Sequence, residues 1–221
     1  MPEMADGSHP TPARRRRAAR IAERLAEEYP DIRTALEWET PWQLLVATVI
    51  SAQTTDENVN RAAPALVARF PEPADLAAAD PKVVEELIYS TGYYRQKTKS
   101  IIGLATAIVD RHGGVVPDDM DALVELPGVG RKTASVVLAE VWDRPAIAVD
   151  THVKRVSNRL DLTTWDDPVK IERDLKAQIP RRHWSRLSMR MIQFGRDVCD
   201  ARTPACPTCP LNRTCRWPGK R

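Results

Sequence analysis

Leu126-Pro127-Gly128-Val129-Gly130-Arg131-Lys132-Thr133 decides the fold. An apolar approach ends in a Gly-x-Gly turn, which opens directly into a run of helical composition with a lysine in its first turn. Glycine tolerates positive φ, so Gly128 and Gly130 are expected to form a tight turn. Its backbone N–H groups would face outward, beside the positive end of the following helix dipole. Such a turn binds phosphate without reading base sequence. A nucleotide-binding P-loop is excluded, because that motif needs G-x-x-x-x-G-K-[ST] after a buried strand, whereas here Arg131 separates Gly130 from Lys132 and helical sequence precedes the turn. A glycine-rich helix connection with a surface lysine accounts for each residue singly. It explains neither Asp150 nor the cysteines downstream.

Outward from the turn, apolar residues recur at helical spacing: Val59, Ala62, Ala63, Leu66, Val67 and Phe70 fit one face, and Ile101, Leu104, Ala105 and Ile108 another. Further helices are expected at about 14 to 28, 41 to 52, 82 to 90, 119 to 125, 131 to 142, 151 to 160, 168 to 178 and 184 to 197. Breaks fall at Pro71 and Pro73, Pro81, Gly92, Gly113-Gly114, Pro117, Pro145 and Pro180. No alternating strand pattern occurs, so the expected class is all-α. At 221 residues the chain has room for two helical lobes. Gly113 to Asp119 reads as a linker ending in an acidic first turn, which makes the unit around Gly128 a helix, a hairpin and a helix.

Charge is unevenly spread. The formal net charge is +3, yet Arg181 to Arg221 holds ten basic residues against Asp197 and Asp200, which favours a polyanionic partner for that end. Arg14 to Arg17 and Arg20 form a second basic run, read either as a solvated, frayed tail or as a DNA-binding arm. No secretory signal or membrane-length apolar segment is present, so a cytoplasmic protein is expected; it is taken as a monomer, nucleoid-associated if the polyanion is DNA.

Lysine attacks carbon only as the free amine, and its ordinary pKa of about 10.4 opposes that. The helix dipole at Lys132, with partial burial against Leu126 and Val136, is expected to supply the bias toward the neutral form. Asp150 follows in Val149-Asp150-Thr151-His152. If 131 to 142 is helical it rises about 16 Å, and extended 143 to 149 spans about 23 Å, enough to return Asp150 toward Lys132. Asp150 also occupies an N-cap position before Thr151 to Val156, and capping and catalysis can coexist. A carboxylate there would steady positive charge developing at a sugar C1′ or assist proton transfer. His152 has no Ser or Cys nucleophile motif beside it and reads as structural.

All four cysteines of the chain fall within 17 residues, as Cys199-x6-Cys206-x2-Cys209-x5-Cys215. In a reducing compartment such a cluster points to metal ligation. Spacing alone leaves zinc and iron-sulfur equally open; either would fasten a proline-rich tail. Arg202 and Arg213 lie in the loops between ligands, where they could meet phosphates.

Taken together, Ile50-Ser51-Ala52-Gln53-Thr54-Thr55-Asp56, the Leu126 to Ala134 run, Ala148-Val149-Asp150-Thr151-His152 and the cysteine spacing resemble the endonuclease III family of helix-hairpin-helix DNA glycosylase/AP lyases. The likeness runs from about Thr34 to Cys215. It implies a six-helix lobe at 34 to 144 and a second lobe joining 1 to 33 with 145 to 221, with DNA lying across the groove between them. It further implies a [4Fe-4S] cluster on Cys199, Cys206, Cys209 and Cys215. The partner it implies is double-stranded DNA containing damaged pyrimidines or abasic sites. By this resemblance the damaged base is flipped out, Lys132 attacks C1′ with Asp150 as its carboxylate, and β-elimination nicks the strand 3′ to the lesion. Gln53 would fill the space left in the duplex. Tyr93, Gly128, Val129, Gly130, Arg131 and Arg202 complete the expected DNA contacts. Two departures stand out: Tyr93 where relatives commonly carry leucine, and Phe194 where many carry histidine before Gly-Arg. Both bear on lesion range and opposite-base preference, since a tyrosine can stack on bases instead of wedging between them. The competing readings are an adenine glycosylase of the same superfamily, which lacks the lysine, and a non-catalytic DNA-binding module.

Overall fold

The computed structural model describes residues 10–220. Among them are eleven α-helices and no β-strand: α1 (Pro12–Glu28), α2 (Pro41–Ile50), α3 (Asp56–Arg69), α4 (Pro73–Ala77), α5 (Pro81–Ile88), α6 (Tyr94–His112), α7 (Met120–Val124), α8 (Arg131–Trp142), α9 (Thr151–Arg159), α10 (Pro168–Gln178) and α11 (Trp184–Asp197). The all-α expectation holds for these residues. None of their helices is long and apolar enough to cross a membrane.

Local chemistry explains most of the starts. Thr11, Thr40, Thr55, Asp80, Asp119, Asp150 and Asp167 each occupy an N-cap and accept a backbone N–H into a side-chain oxygen. Proline sits in the first turn of α1, α2, α5 and α10, where its missing N–H costs nothing. Helices α6 and α8 differ. They begin on Tyr93 and Gly130, and neither receives a side-chain cap; α11, which begins on His183, also lacks one.

The chain divides into two compact units: one ends at Arg33 and resumes at Arg144, and the other is Thr34–Asp143. In the Thr34–Asp143 unit, α6 is central, with α2, α4 and α5 packed on it; α8 packs on α2 and α7. Ile101, Leu104, Ala105 and Ile108 of α6 are buried, as the periodicity predicts. Five-residue α4 overlaps the Ala-rich stretch Ala74 to Ala79, a composition that fits helix and turn alike.

The other unit joins both ends of the chain. Its core contains Ile21 and Leu25 of α1, Val153 and Val156 of α9, Ile171 and Leu175 of α10, and Leu187, Met191 and Phe194 of α11. Here the basic amino-terminal run is corrected. Residues Pro12 onward are helical, and Arg17 is only 5% exposed. Its guanidinium donates to Leu160 O at 2.6 Å, Thr214 O at 3.2 Å and Asp161 O at 2.6 Å, and pairs with the Asp161 carboxylate at 3.2 Å. Arg14 donates to the same Asp161 carbonyl at 3.0 Å. Arg14 and Arg17 therefore belong to neither a frayed tail nor a DNA arm, although Arg15, Arg16 and Arg20 are exposed. The carboxy-terminal basic surplus is also partly internal. Arg190 is buried, donating to Tyr29 O at 3.1 Å and Pro30 O at 3.3 Å, and Arg182 pairs with Glu23 at 2.9 Å.

Candidate active site

The Leu126 to Lys132 stretch is built from its proline outward. Pro127 and Gly128 are the central residues of a turn closed by Val129 N–H donating to Leu126 O at 3.1 Å. Gly128 has φ 76°, the left-handed value a type II turn requires after proline. A side chain here is doubly excluded, because a Cβ on Gly128 would stand 2.9 Å from Ser100 Cβ and 3.3 Å from Val49 Cγ1. The turn is thus pressed against α6 and α2. Gly130 departs from the sequence expectation: its φ is −87°, ordinary extended backbone, and a Cβ there would meet open space. Its glycine character serves openness, not conformation.

Val129 is corrected in the same way. Its side chain is buried and its N–H is spent inside the turn. The outward amides belong instead to the first turn of α8, which includes Arg131 and Lys132, and which no side chain caps. Arg131 and Lys132 are exposed. Leu126 and Val136 are buried, but Lys132 is not partly buried against them as expected.

Gln53 and Tyr93 belong to the same unit and are both exposed, Tyr93 to 68%. Both carry left-handed backbone, with φ 56° and 49°, which is uncommon for residues with a side chain. Gln53 lies on the turn between α2 and α3; Tyr93 is the N-cap of α6.

In the other unit, Asp150 caps α9, Oδ1 accepting Val153 N–H at 2.8 Å. That leaves Oδ2 for other work. The approach to Asp150 is fixed by buried Ser188, whose Oγ accepts Ala148 N–H at 2.8 Å. His152, half-buried, has its pKa lowered mainly by burial; Asp150 opposes the shift and Arg155 adds to it. Its Nδ1 lies 3.2 Å from Arg155 Nη2. Phe194 is 1% exposed within the core. Its ring therefore presents no exposed face to a base.

Cys199, Cys206, Cys209 and Cys215 all line one cavity, with Leu160, Phe194, Val198 and Trp217 among its walls. None is in a disulfide. Among the described residues no three metal-binding side chains converge tightly enough to hold a single ion. Burial raises the Cys209 thiol, and the other three cysteines push it the same way. A cationic group in the cavity would relieve that mutual repulsion. Two arginines of α9, missed in the sequence, hold the loop. Arg155 donates to Cys199 O at 3.2 Å and Gly195 O at 2.9 Å. Arg159 donates to Cys199 Sγ at 3.4 Å, Asp200 O at 2.6 Å and Ala201 O at 2.7 Å, with its guanidinium 4.3 Å from the Trp217 ring centroid. Their signal was the i, i+4 spacing on an amphipathic helix. Arg202 is exposed, and its backbone N–H donates to Asp200 at 2.8 Å.

The family model of the HhH-GPD superfamily base excision DNA repair proteins matches residues 46–181. Endonuclease III of Synechocystis sp. is 48% identical over 204 residues, 92% of this chain and 93% of that protein. A solved non-covalent endonuclease III–DNA complex superposes with a TM-score of 0.85 at 42% identity, covering 91% of this chain and 95% of that one. A trapped endonuclease III–DNA covalent intermediate, an estranged-adenine complex, gives 0.83 at 44% identity, covering 88% and 92%. On fold, motif and sequence alike, the chain belongs to the endonuclease III family of the HhH-GPD superfamily.

Proposed function

We propose that this protein is a bifunctional base excision repair enzyme, a DNA glycosylase with AP lyase activity. Its substrate is duplex DNA carrying an oxidised pyrimidine or an abasic site. The observation that carries the reading is Lys132, an exposed amine in the uncapped first turn of α8, immediately after a glycine turn shaped to meet a phosphate. A 44% identical relative has been trapped as a covalent DNA intermediate.

The chemistry follows from the residues. The amides of the α8 first turn, with Arg131, hold backbone phosphate at the positive helix end. Gln53 and Tyr93 occupy the space vacated when the damaged nucleotide leaves the stack. The Lys132 amine bonds to C1′ as the C1′–N bond to the base breaks, the base leaving with the bonding pair and taking up a proton. Asp150 Oδ2 steadies the cationic sugar while Oδ1 keeps its cap. After the nitrogen loses a proton, its lone pair forms C1′=N as the C1′–O4′ bond breaks and O4′ takes up a proton, which opens the sugar ring to a Schiff base. Removal of a C2′ proton then expels the 3′ phosphate and nicks the strand. Water releases Lys132.

A [4Fe-4S] cluster is the group that Cys199, Cys206, Cys209 and Cys215 would hold. The fit rests on four thiols around one apolar cavity, with Arg159 beside Cys199 Sγ to offset thiolate charge. When bound, the cluster supplies cross-linking of the tail, and no step above passes through it. Arg202 at the mouth of this loop would contact phosphate.

The test is reduction with borohydride in the presence of duplex containing a single abasic site. The intact chain is expected to give a covalent adduct, and Lys132→Ala to give none while still binding the duplex. On a companion duplex carrying an oxidised pyrimidine, base removal without strand cleavage or adduct would mean a monofunctional glycosylase; binding alone to both duplexes would mean a DNA-binding module.

A further inference from the structure

Two turns of the Thr34–Asp143 unit carry exposed candidate DNA contacts on left-handed, non-glycine backbone, Gln53 at φ 56° and Tyr93 at φ 49°. Such backbone persists only where surrounding structure over-determines it. One side chain reaches both turns. Asn58, in the first turn of α3, donates from Nδ2 to Thr54 Oγ1 at 2.9 Å, next to Gln53, and to Ser90 O at 2.7 Å, three residues before Tyr93. An amide nitrogen has two hydrogens, and both are used. Its Oδ1 accepts from Arg61 at 3.5 Å.

The Tyr93 turn has a second anchor. Lys97, 5% exposed on the apolar side of α6, donates to Thr91 O at 2.7 Å, and Thr91 Oγ1 donates to Ile88 O at 2.8 Å. The Gln53 turn is held by local bonds, Ser51 Oγ to Thr48 O at 2.8 Å, Ala52 N to Val49 O at 3.4 Å and Thr54 N to Ser51 O at 3.2 Å, besides Asn58. The firmly held turn is thus the reference, and Asn58 transfers its position to the looser one.

We propose that Asn58 is a positioning residue for lesion recognition. It ties the Gln53 turn to the Tyr93 turn, so that the two side chains enter duplex DNA as a pair with fixed separation. This rests on the glycosylase/lyase reading above. A fixed pair measures the base left unpaired in the opposite strand, because only bases that fit between the two contacts keep both in place. Discrimination among opposite bases then depends on a residue that touches none of them.

The experiment uses Asn58→Asp in the full chain. The replacement has nearly the same shape and suits a helix first turn that already holds Asp56 and Glu57. It donates neither bond. Single-turnover cleavage is measured on duplexes with one oxidised pyrimidine opposite each of the four bases, with borohydride trapping on single-stranded abasic DNA as the reference reaction. The spread between best and worst opposite base is expected to narrow by about fivefold or more, the scale of a lost hydrogen bond, relative to that reference. Asn58→Ala, which removes both donors without adding charge, is expected to narrow it alike. An unchanged spread in both variants overturns the proposal. So does equal slowing on every duplex and on the single strand with a lowered melting temperature, which is general structural damage. Failure of the underlying reading looks different, since the intact chain would then form no adduct on either abasic substrate.

Discussion

At the scale of single residues, Asp150 holds two duties on separate oxygens. Oδ1 caps α9 through Val153 N–H, and Oδ2 is assigned to the sugar. Asparagine keeps a carbonyl for the cap but loses the charge. Asp150→Asn is therefore expected to bind DNA and melt near the parent temperature while losing most turnover. Asp150→Ala should lose turnover and, in addition, about 1 kcal/mol of stability. Thermal melts beside turnover assays separate the two; full turnover in Asp150→Asn would remove the residue from the chemistry. The cap was legible because Asp precedes a helical run. The exposure of Lys132 was not, because sequence says which residues are apolar nearby but not which way a first-turn lysine leaves the helix. Asn58 was invisible for a related reason. A polar residue in a first turn reads as solvated, and its partner Ser90 lies 32 positions away. Lys97 did leave a trace: the α6 periodicity carried back from Ile101 lands on it, placing a lysine on the buried face.

Among the elements, the turn before α8 shows how two glycines in one motif do unlike work. Gly128 is needed for its φ and for lack of a Cβ against Ser100 and Val49. Gly128→Ala is expected to destabilise by about 2 kcal/mol or more. Gly130→Ala meets no strain and open space, so it should fold like the parent, yet bind DNA more weakly because its methyl stands on the phosphate approach. Denaturation and binding measured on both variants check this; equal stability of the two would show that the turn is not held as described. Helix starts were readable at Thr40-Pro41, Asp80-Pro81 and Asp167-Pro168, since cap and ring act locally. Short α4 was not, being too brief to show a period. Of the starts without a side-chain cap, at Tyr93, Gly130 and His183, the first two are assigned to DNA contact, where local consistency is expected to yield to function.

Across the whole molecule, one unit is assembled from both ends of the chain, and Arg17 ties α1 to the end of α9 and to the cysteine loop through Leu160 O and Thr214 O. Sequence alone presented Arg17 as one of a solvated run, because only the fold reveals which face of α1 meets the core. The same unit holds His152 and His183, both with pKa lowered chiefly by burial. A histidine kept neutral by burial binds its proton less readily folded than unfolded. Its contribution is complete above the unfolded value of about 6.5 and is lost as pH falls below it. The melting temperature is therefore expected to fall between pH 7.5 and 5.5, and less steeply in His183→Gln; a pH-independent melt over that range would contradict the burial of these rings. The central claim, however, is that the amine after the Gly128 turn bonds to deoxyribose. Borohydride-trapped adduct on an abasic duplex, digested and mapped by mass spectrometry, tests it most directly. The deoxyribose fragment is predicted on Lys132 alone, and a fragment on any other residue, or an undiminished adduct in Lys132→Ala, would contradict it.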